Sequence, residues 1–100
     1  MSKGKLACGA VLREMADTFD ARNAVYGDNY RMVGHVMAAF FPEGVTLKTP
    51  EDYEVFHLFE LKIVKLTRFV IGGMTHQDSI HDDAVYAAMI EAILKERAHG

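Results

Sequence analysis

The sequence predicts an all-α domain, a four-helix antiparallel bundle subunit that is expected to be oligomeric. Apolar residues recur at spacings of three and four in four separate segments, and glycine or proline marks the breaks between them. The connections are short, which favours antiparallel neighbours. Half of the 100 residues are apolar, enough for one core but not for two. We therefore expect residues 1–100 to form a single domain.

The first helix is predicted over about residues 5 to 24. Its apolar residues share one face at spacings of four, three and four: Cys8, Leu12, Met15 and Phe19. Gly27 is expected to take the left-handed conformation that ends a helix, and Asp28 or Asn29 to cap the next one. The turn between the first two helices should therefore be tight.

The second helix has a similar apolar face, and Pro42 with Gly44 marks its end. That face is formed by Tyr30, Val33, Met37 and Phe40. After a loop, Thr49 and Pro50 with the acids that follow have the pattern of a helix start, namely a capping hydroxyl, a proline in the first turn and carboxylates at the positive end of the dipole. The third helix should run to about Ile71.

Gly72 and Gly73 are predicted to stop the third helix, and the fourth should extend from about Asp78 to Arg97. On a helical wheel Asp78 and Asp82 share the side of the apolar residues Val85, Tyr86, Met89 and Ile93. A buried carboxylate without a partner is very unfavourable. These acids are therefore predicted to have ionic partners, a metal ion or a water-filled cleft.

The third helix is apolar nearly all round, which predicts a central position. Polar residues of this helix share an arc of roughly 140° on the wheel: Glu54, His57, Glu60, Lys65 and Arg68. This polar stripe could meet the aspartates of the fourth helix. Two interpretations stay open. In the structural interpretation, Asp78 caps the fourth helix and Asp82 pairs with Lys65 or Arg68. In the functional interpretation, Mg²⁺ is bound by Glu60, Asp78 and Asp82, and phosphate oxygens are contacted by Lys65 and Arg68.

Charge and composition exclude several classes of function. The chain has 11 Lys and Arg against 14 Asp and Glu, a net charge of -3, so it lacks the basic excess that nucleic-acid binding needs. No run approaches the roughly 20 apolar residues of a membrane span. The sequence has neither a phosphate-binding glycine loop nor a Cys/His zinc cluster. The single cysteine, Cys8, suits a reducing cytosol.

Three short motifs, in this order, carry a resemblance. They are Arg22 with Tyr26 and Gly27, the segment Lys-Leu-Thr-Arg at 65–68, and Asp78-Ser79 followed by Asp82 and Tyr86. Together they resemble the small phage and bacterial members of the MazG-like all-α nucleotide pyrophosphohydrolase superfamily. The similarity spans about residues 10 to 94.

The resemblance implies a homodimer or higher homo-oligomer that hydrolyses a (deoxy)nucleoside triphosphate to the monophosphate and pyrophosphate with Mg²⁺, in the cytoplasm, or the host cytoplasm if the protein is phage-encoded. Glu60, Asp78 and Asp82 would be metal ligands, with Glu60 and Asp82 catalytic. The nucleotide would be contacted by Arg22, Tyr26, Lys65, Arg68 and Tyr86. The larger family has two glutamates three apart on the third helix, where this chain has His57 and Glu60.

Two other functions stay open. The chain could be a non-catalytic nucleotide-binding protein of phage type, which sequesters a nucleotide or modulates a host enzyme. Alternatively it is a structural or protein-binding helical bundle whose acids and bases form internal ion pairs.

Overall fold

The computed structural model describes the backbone of residues 3–27 and 29–99, and within them the side chains of all residues except 3–6 and 26. These residues form four α-helices: α1 (Lys3–Tyr26), α2 (Asn29–Phe40), α3 (Pro50–Ile71) and α4 (Gln77–His99). The described part of the chain contains no strand. The predicted all-α class is confirmed, and each predicted helix is observed close to its expected bounds.

The turn between α1 and α2 depends on Gly27. Its φ angle is 58°, in the left-handed region that disfavours residues with a Cβ. Its N–H donates to the carbonyl of Asn23 at 2.8 Å, which closes the last turn of α1. The expectation for Gly27 is confirmed, whereas the expected capping by Asp28 lies outside the described residues.

The start of α3 is a capping box, as the Thr49-Pro50 pattern predicts. The backbone N–H of Asp52 donates to the Thr49 hydroxyl at 3.2 Å, and the Asp52 carboxylate accepts from the N–H groups of Thr49 and Lys48, both at 3.1 Å. The backbone hydrogen bonds from Thr49 and Lys48 hold the pKa of Asp52 below its ordinary value, and the bond from Thr49 has the larger effect.

The central position predicted for α3 is confirmed, because α3 packs against both α2 and α4. Phenylalanine rings join the end of α2 to α3: Phe40 lies 5.1 Å from Phe59, and Phe41, directly after α2, lies 5.7 Å from Phe56 and 5.9 Å from Phe59 between ring centroids. Tyr30 at the start of α2 lines a pocket together with Arg68 in the last turn of α3, so the two helices are antiparallel.

Three ion pairs connect α3 to α4. Asp52 pairs with Arg97 at 3.4 Å, Lys62 with Asp83 at 2.8 Å, and Lys65 with Asp82 at 3.0 Å. Residue numbers rise along α3 as they fall along α4, so these two helices are also antiparallel. The predicted antiparallel arrangement therefore holds for α2, α3 and α4.

The end of α3 follows the predicted glycine pair. The N–H of Gly72 donates to the carbonyl of Arg68 at 2.9 Å, and that of Gly73 to Val70 at 3.1 Å. Gly73 has a φ of 76°. A residue with a side chain is strained in this region, so the left-handed turn explains why α3 stops there.

The core is small, and α1 contributes little to it. Ile63 is the only fully buried apolar side chain among the described residues. The apolar face predicted for the first helix is largely exposed, with Leu12 and Met15 each 60% accessible. The C-terminal part of α1 meets α2 where the rings of Phe19 and Tyr30 lie 5.8 Å apart. No described helix is both long enough and apolar enough to cross a membrane.

Candidate functional site

A pocket of about 490 Å³ lies where the C-terminal part of α1, the start of α2 and the C-terminal half of α3 come together. Its volume is in the usual range of small-molecule sites. Its lining combines aromatic, amide, guanidinium and aliphatic groups: Phe19, Arg22, Asn23, Gly27, Asn29, Tyr30, Val33, Val64 and Arg68.

The tight turn at Gly27 builds this pocket from residues close in sequence. It reverses the chain between the last turn of α1, which carries Arg22 and Asn23, and the first turn of α2, which carries Asn29. The opposite wall comes from α3, where Val64 and Arg68 are four residues apart and therefore share one helix face. The polar side chains of the pocket are thus supplied by three different helices.

Two amide oxygens in the pocket have no hydrogen-bond partner among the described residues. They are Oδ1 of Asn23 and Oδ1 of Asn29, both removed from solvent. Asn29 as a whole is only 9% exposed. Buried polar groups in native proteins are nearly always bonded, because an unsatisfied one costs about 1–3 kcal/mol. Two unsatisfied acceptors lining the same pocket can therefore accept hydrogen bonds from a ligand or from water.

Among the described residues that line the pocket, the charged side chains are the two arginines. Arg22 is exposed at its edge and Arg68 is half-buried in its wall. No carboxylate belongs to the described residues that line it. A guanidinium presents up to five N–H donors in a planar fork that matches phosphate and carboxylate oxygens. The pocket is therefore suited to an anionic group on its ligand.

The remaining lining is apolar and partly aromatic. The rings of Phe19 and Tyr30 meet edge to face, with an angle of 72° between their planes. Val33 and Val64 contribute aliphatic surface. A flat ring can be held against such side chains by stacking and by removal of apolar area from water.

The predicted substrate-binding residues divide into two groups. Arg22 and Arg68 both line the pocket, as their proposed role requires. Lys65 and Tyr86 do not belong to its lining: Lys65 forms the ion pair with Asp82, and Tyr86 is half-buried on α4. The side chain of Tyr26 lies outside the described residues.

The predicted metal ligands are not brought together. The Glu60 carboxylate lies 3.8 Å from Nδ1 of His57, Asp78 is exposed in the first turn of α4, and Asp82 is paired with Lys65. Within residues 3–27 and 29–99, no three His, Cys, Asp or Glu side chains form a group able to hold a metal ion. The residues present in one chain therefore do not fit the Mg²⁺ site that the resemblance implies.

The prediction that Asp78 and Asp82 both face the core is wrong for Asp78, which is exposed, whereas Asp82 is half-buried and meets Lys65 of α3. The described buried and half-buried positions of α4 are Ser79, Asp82, Asp83, Tyr86, Ile90 and Ile93. Their face is rotated by about 60° on the wheel from the predicted one. Ser79 is 1% exposed and its hydroxyl lies 2.6 Å from Nδ1 of His76. A small polar residue thus occupies the buried position, and the large apolar residues that suggested the other face, such as Met89, are partly exposed.

The interpretation of Asp82 as an ion-pair partner of Lys65 is confirmed. The capping role considered for Asp78 is wrong, since α4 begins at Gln77 and Asp78 is its second residue. A shorter pair, Lys62 with Asp83, was not predicted from the sequence. Each of its side chains is about one-fifth exposed, at 21% and 20%.

Sequence reasoning also missed Asn23 as a pocket residue and considered Asn29 only as a cap. A signal was present: polar residues stand on both sides of a glycine turn, and such a turn brings the last turn of one helix next to the first turn of the following one. Tyr30 was assigned to the core of α2, but it is exposed and lines the pocket.

Comparison with known proteins finds no match: no protein-family model, no curated protein and no solved structure is significantly similar to the chain. The resemblance to MazG-like pyrophosphohydrolases therefore stays a prediction. The residues that line the pocket support the function that we propose for this chain.

Proposed function

We propose that this chain binds a nucleotide in the pocket between α1, α2 and α3. The observation that carries the proposal is the convergence of two arginines and two unsatisfied amide oxygens on one partly aromatic pocket of about 490 Å³. This corresponds to the second function considered from the sequence, a nucleotide-binding protein for which catalysis is not required.

Each part of a nucleotide has a chemical counterpart in the pocket. The guanidinium groups of Arg22 and Arg68 suit phosphate oxygens. The amide oxygens of Asn23 and Asn29 can accept from the N–H groups of a base or the hydroxyls of a sugar. The rings of Phe19 and Tyr30 offer surfaces on which a base can stack. An inorganic anion alone would use the arginines and leave the amide oxygens unsatisfied.

Titration calorimetry of the full chain against nucleoside mono- and triphosphates, without Mg²⁺, tests this proposal. We expect binding that weakens as salt concentration rises, since charge contributes to it. Arg22→Ala should reduce affinity by about tenfold or more, because a hydrogen bond to a charged group contributes roughly 1.5–3 kcal/mol.

Arg13→Ala is the matched control, since Arg13 is exposed on the same helix and is not part of the pocket lining. It should bind nucleotide like the unmodified chain. Absence of binding for every nucleotide, or equal losses in Arg22→Ala and Arg13→Ala, would contradict the proposal. Nucleosides should bind more weakly than their phosphates.

Hydrolysis of a nucleoside triphosphate with Mg²⁺ stays a prediction of the resemblance. Glu60, Asp78 and Asp82 would have to be supplied with further ligands, since they do not form a metal group in one chain. Release of pyrophosphate from any dNTP in the presence of Mg²⁺, abolished in Asp82→Ala, would support it. Binding that is independent of Mg²⁺ and without release favours the non-catalytic function.

The proposal includes a cytoplasmic location. The single cysteine of the chain, Cys8, is exposed, and an exposed thiol stays reduced where glutathione and thioredoxin operate. Nucleotides are also abundant in that compartment. We further propose that the chain acts as a homo-oligomer, because one copy alone buries so little apolar surface.

A further inference from the structure

A second pocket lies at the other end of α3, away from the one proposed to bind nucleotide. Its volume is about 480 Å³, within the usual range of small-molecule sites. It forms where the end of α2 and the loop after it meet the first half of α3 and the C-terminal half of α4. The two pockets have no described lining residue in common. We call this space the phenylalanine pocket.

Most of the lining of the phenylalanine pocket is apolar, and half of that apolar lining is aromatic. Four phenylalanines and four aliphatic residues supply it. The rings of Phe40 and Phe41 meet that of Phe59 almost at right angles, at 88° and 81°, with 5.1 and 5.9 Å between centroids. Phe40 is 58% exposed and Val45 is 47% exposed. A ring in this pocket can therefore continue the edge-to-face packing and remove apolar area from water.

The polar edge of the phenylalanine pocket is the ion pair between Asp52 and Arg97. Asp52 is already engaged by the capping box, since its Oδ2 accepts from two backbone N–H groups while its Oδ1 faces Arg97. The lowered pKa of Asp52 comes mainly from the backbone bonds of Thr49 and then Lys48, and Arg97 has the smallest effect. The charge of Asp52 is thus stabilised chiefly by the start of α3.

Arg97, by contrast, keeps most of its donor capacity. A guanidinium has five N–H donors, and within the described residues that of Arg97 makes one hydrogen bond, to Oδ1 of Asp52 at 3.4 Å. Ordinary N–H···O bonds are shorter, at about 2.7–3.2 Å. The Arg97 side chain is 43% exposed, so a ligand can reach the other donors. A planar carboxylate matches such a fork with two parallel hydrogen bonds.

We propose that the phenylalanine pocket binds a small aromatic carboxylate, with its ring against the phenylalanines and its carboxylate on Arg97. An acidic ligand is favoured over a basic one because Arg97 has donors to offer, whereas the acceptor atoms of Asp52 are in use. A small inorganic anion would leave the apolar walls in contact with water. This inference does not rest on nucleotide binding, since the two pockets are built from different residues.

Titration calorimetry of the full chain with 2-naphthoate tests the proposal. We expect one saturable site per chain. 2-Naphthalenemethanol has the same ring without the charge, and it should bind about tenfold or more weakly, because a hydrogen bond to a charged group is lost. Acetate, which has the carboxylate without the ring, should show no saturable binding at the same concentrations.

Replacement of Arg97 tests the polar end of the site. Arg97→Ala should reduce the affinity for 2-naphthoate by about tenfold or more. Lys95→Ala is the matched control, because Lys95 lies in the same part of α4, pairs with Glu91 at 3.1 Å and is not part of the lining. Each variant loses one positive charge and one ion pair at the surface. Only Arg97→Ala should lose affinity.

Replacement of Phe40 tests the aromatic end. Phe40→Leu keeps an apolar side chain but removes a ring, and it should weaken binding several-fold. Tyr53→Leu is its control, since Tyr53 is 57% exposed and lies outside the lining. It should bind 2-naphthoate like the unmodified chain.

Methyl NMR of the unmodified chain locates the ligand even where a variant does not fold. With 2-naphthoate, the resonances of Val55 and Ile90 should shift, whereas those of Val33 and Val64 in the nucleotide pocket should not. Shifts concentrated at Val33 and Val64, or no saturable binding, would overturn the proposal. So would equal affinity for 2-naphthoate and its alcohol, or equal losses in Arg97→Ala and Lys95→Ala. An affinity that falls as protein concentration rises would show that another copy of the chain occupies the pocket instead.

Discussion

At the scale of single residues, the unsatisfied side chains carry the most information. Asn29 is nearly buried, yet its Oδ1 atom has no hydrogen-bond partner within the described part of the chain. Buried amide oxygens are usually hydrogen-bonded. A donor group on the proposed nucleotide would satisfy this oxygen.

Replacement of Asn29 should separate stability from binding. Asn29→Ala removes a buried acceptor without a partner, so the melting temperature of the ligand-free chain should stay unchanged or rise. Its affinity for nucleotide should fall by about five- to tenfold, the value of one hydrogen bond of about 1 kcal/mol or slightly more. Asn29→Asp should weaken binding more, because it places a negative charge beside the phosphate site. Thermal denaturation and calorimetry measure both effects.

A structural role for Asn29 would give the opposite pattern. Marked destabilisation of Asn29→Ala, with nucleotide affinity unchanged, would contradict the assignment of Asn29 to the pocket. The isosteric Asn29→Asp variant keeps the shape of the side chain, so a stability loss restricted to Asn29→Ala would also point to packing.

At the scale of the helices, ion pairs define the register between α3 and α4. Lys62 with Asp83 and Lys65 with Asp82 join consecutive turns of α3 to neighbouring residues of α4. The first pair is mostly shielded from solvent, whereas the Asp82 side chain is 40% exposed. Shielded pairs contribute more than exposed ones, and removal of one partner leaves the other charge uncompensated.

Neutralisation of the three aspartates of α4 should give graded losses of stability. We expect Asp83→Asn to cost about 1–2 kcal/mol, between the values of exposed and fully buried pairs. Asp82→Asn should cost less than about 1 kcal/mol, and the exposed Asp78→Asn no more than about 0.5 kcal/mol. Urea unfolding at neutral pH measures the free energies. A larger loss for Asp78→Asn than for Asp83→Asn would contradict this order.

The capping box at the start of α3 should make the stability of the fold depend on pH in the acidic range. The pKa of Asp52 lies below its ordinary value of 3.8, mainly because Thr49 and Lys48 donate backbone hydrogen bonds to it. A lowered folded-state pKa stabilises the fold fully above the unfolded value, and this contribution is lost as pH falls through the folded pKa. Asp52→Asn should therefore lower the melting temperature at pH 7, and the difference should shrink as the pH falls below 3.8 and through the lowered folded-state pKa.

Glu51→Gln is the control for the capping box. Glu51 lies in the same turn, but its carboxylate makes no hydrogen bond within the described residues. Its variant should show a smaller dependence on pH. An Asp52→Asn defect that does not shrink as the pH falls below 3.8 towards full protonation would show that charge on Asp52 does not stabilise this helix start.

At the scale of the whole molecule, the main feature is how little the single chain buries. Among the described residues Ile63 is the only buried apolar side chain, and large apolar residues of all four helices are exposed. A domain of about 100 residues has little stability to spare. The homo-oligomer proposed above would remove part of this apolar surface from water.

The sequence by itself determined the helices and their limits. Local signals were sufficient for the Gly27 turn, for the capping box at Thr49 and for the Gly72-Gly73 stop, because each depends on backbone conformation and on hydrogen bonds within a few residues. The order of motifs also selected Arg22 and Arg68, two of the residues that line the pocket.

Only the tertiary structure decided which faces of these helices meet. The wheel placed Asp78 on a core-facing side of α4, but the contact with α3 uses a face centred nearer Ser79 and Asp83. Helical periodicity defines which residues share a face, whereas the choice of the buried face depends on shape and charge across two helices distant in sequence. For the same reason the sequence alone does not identify Asn23 and Asn29 as pocket residues, because the pocket also needs Val64 and Arg68 of α3 as its opposite wall.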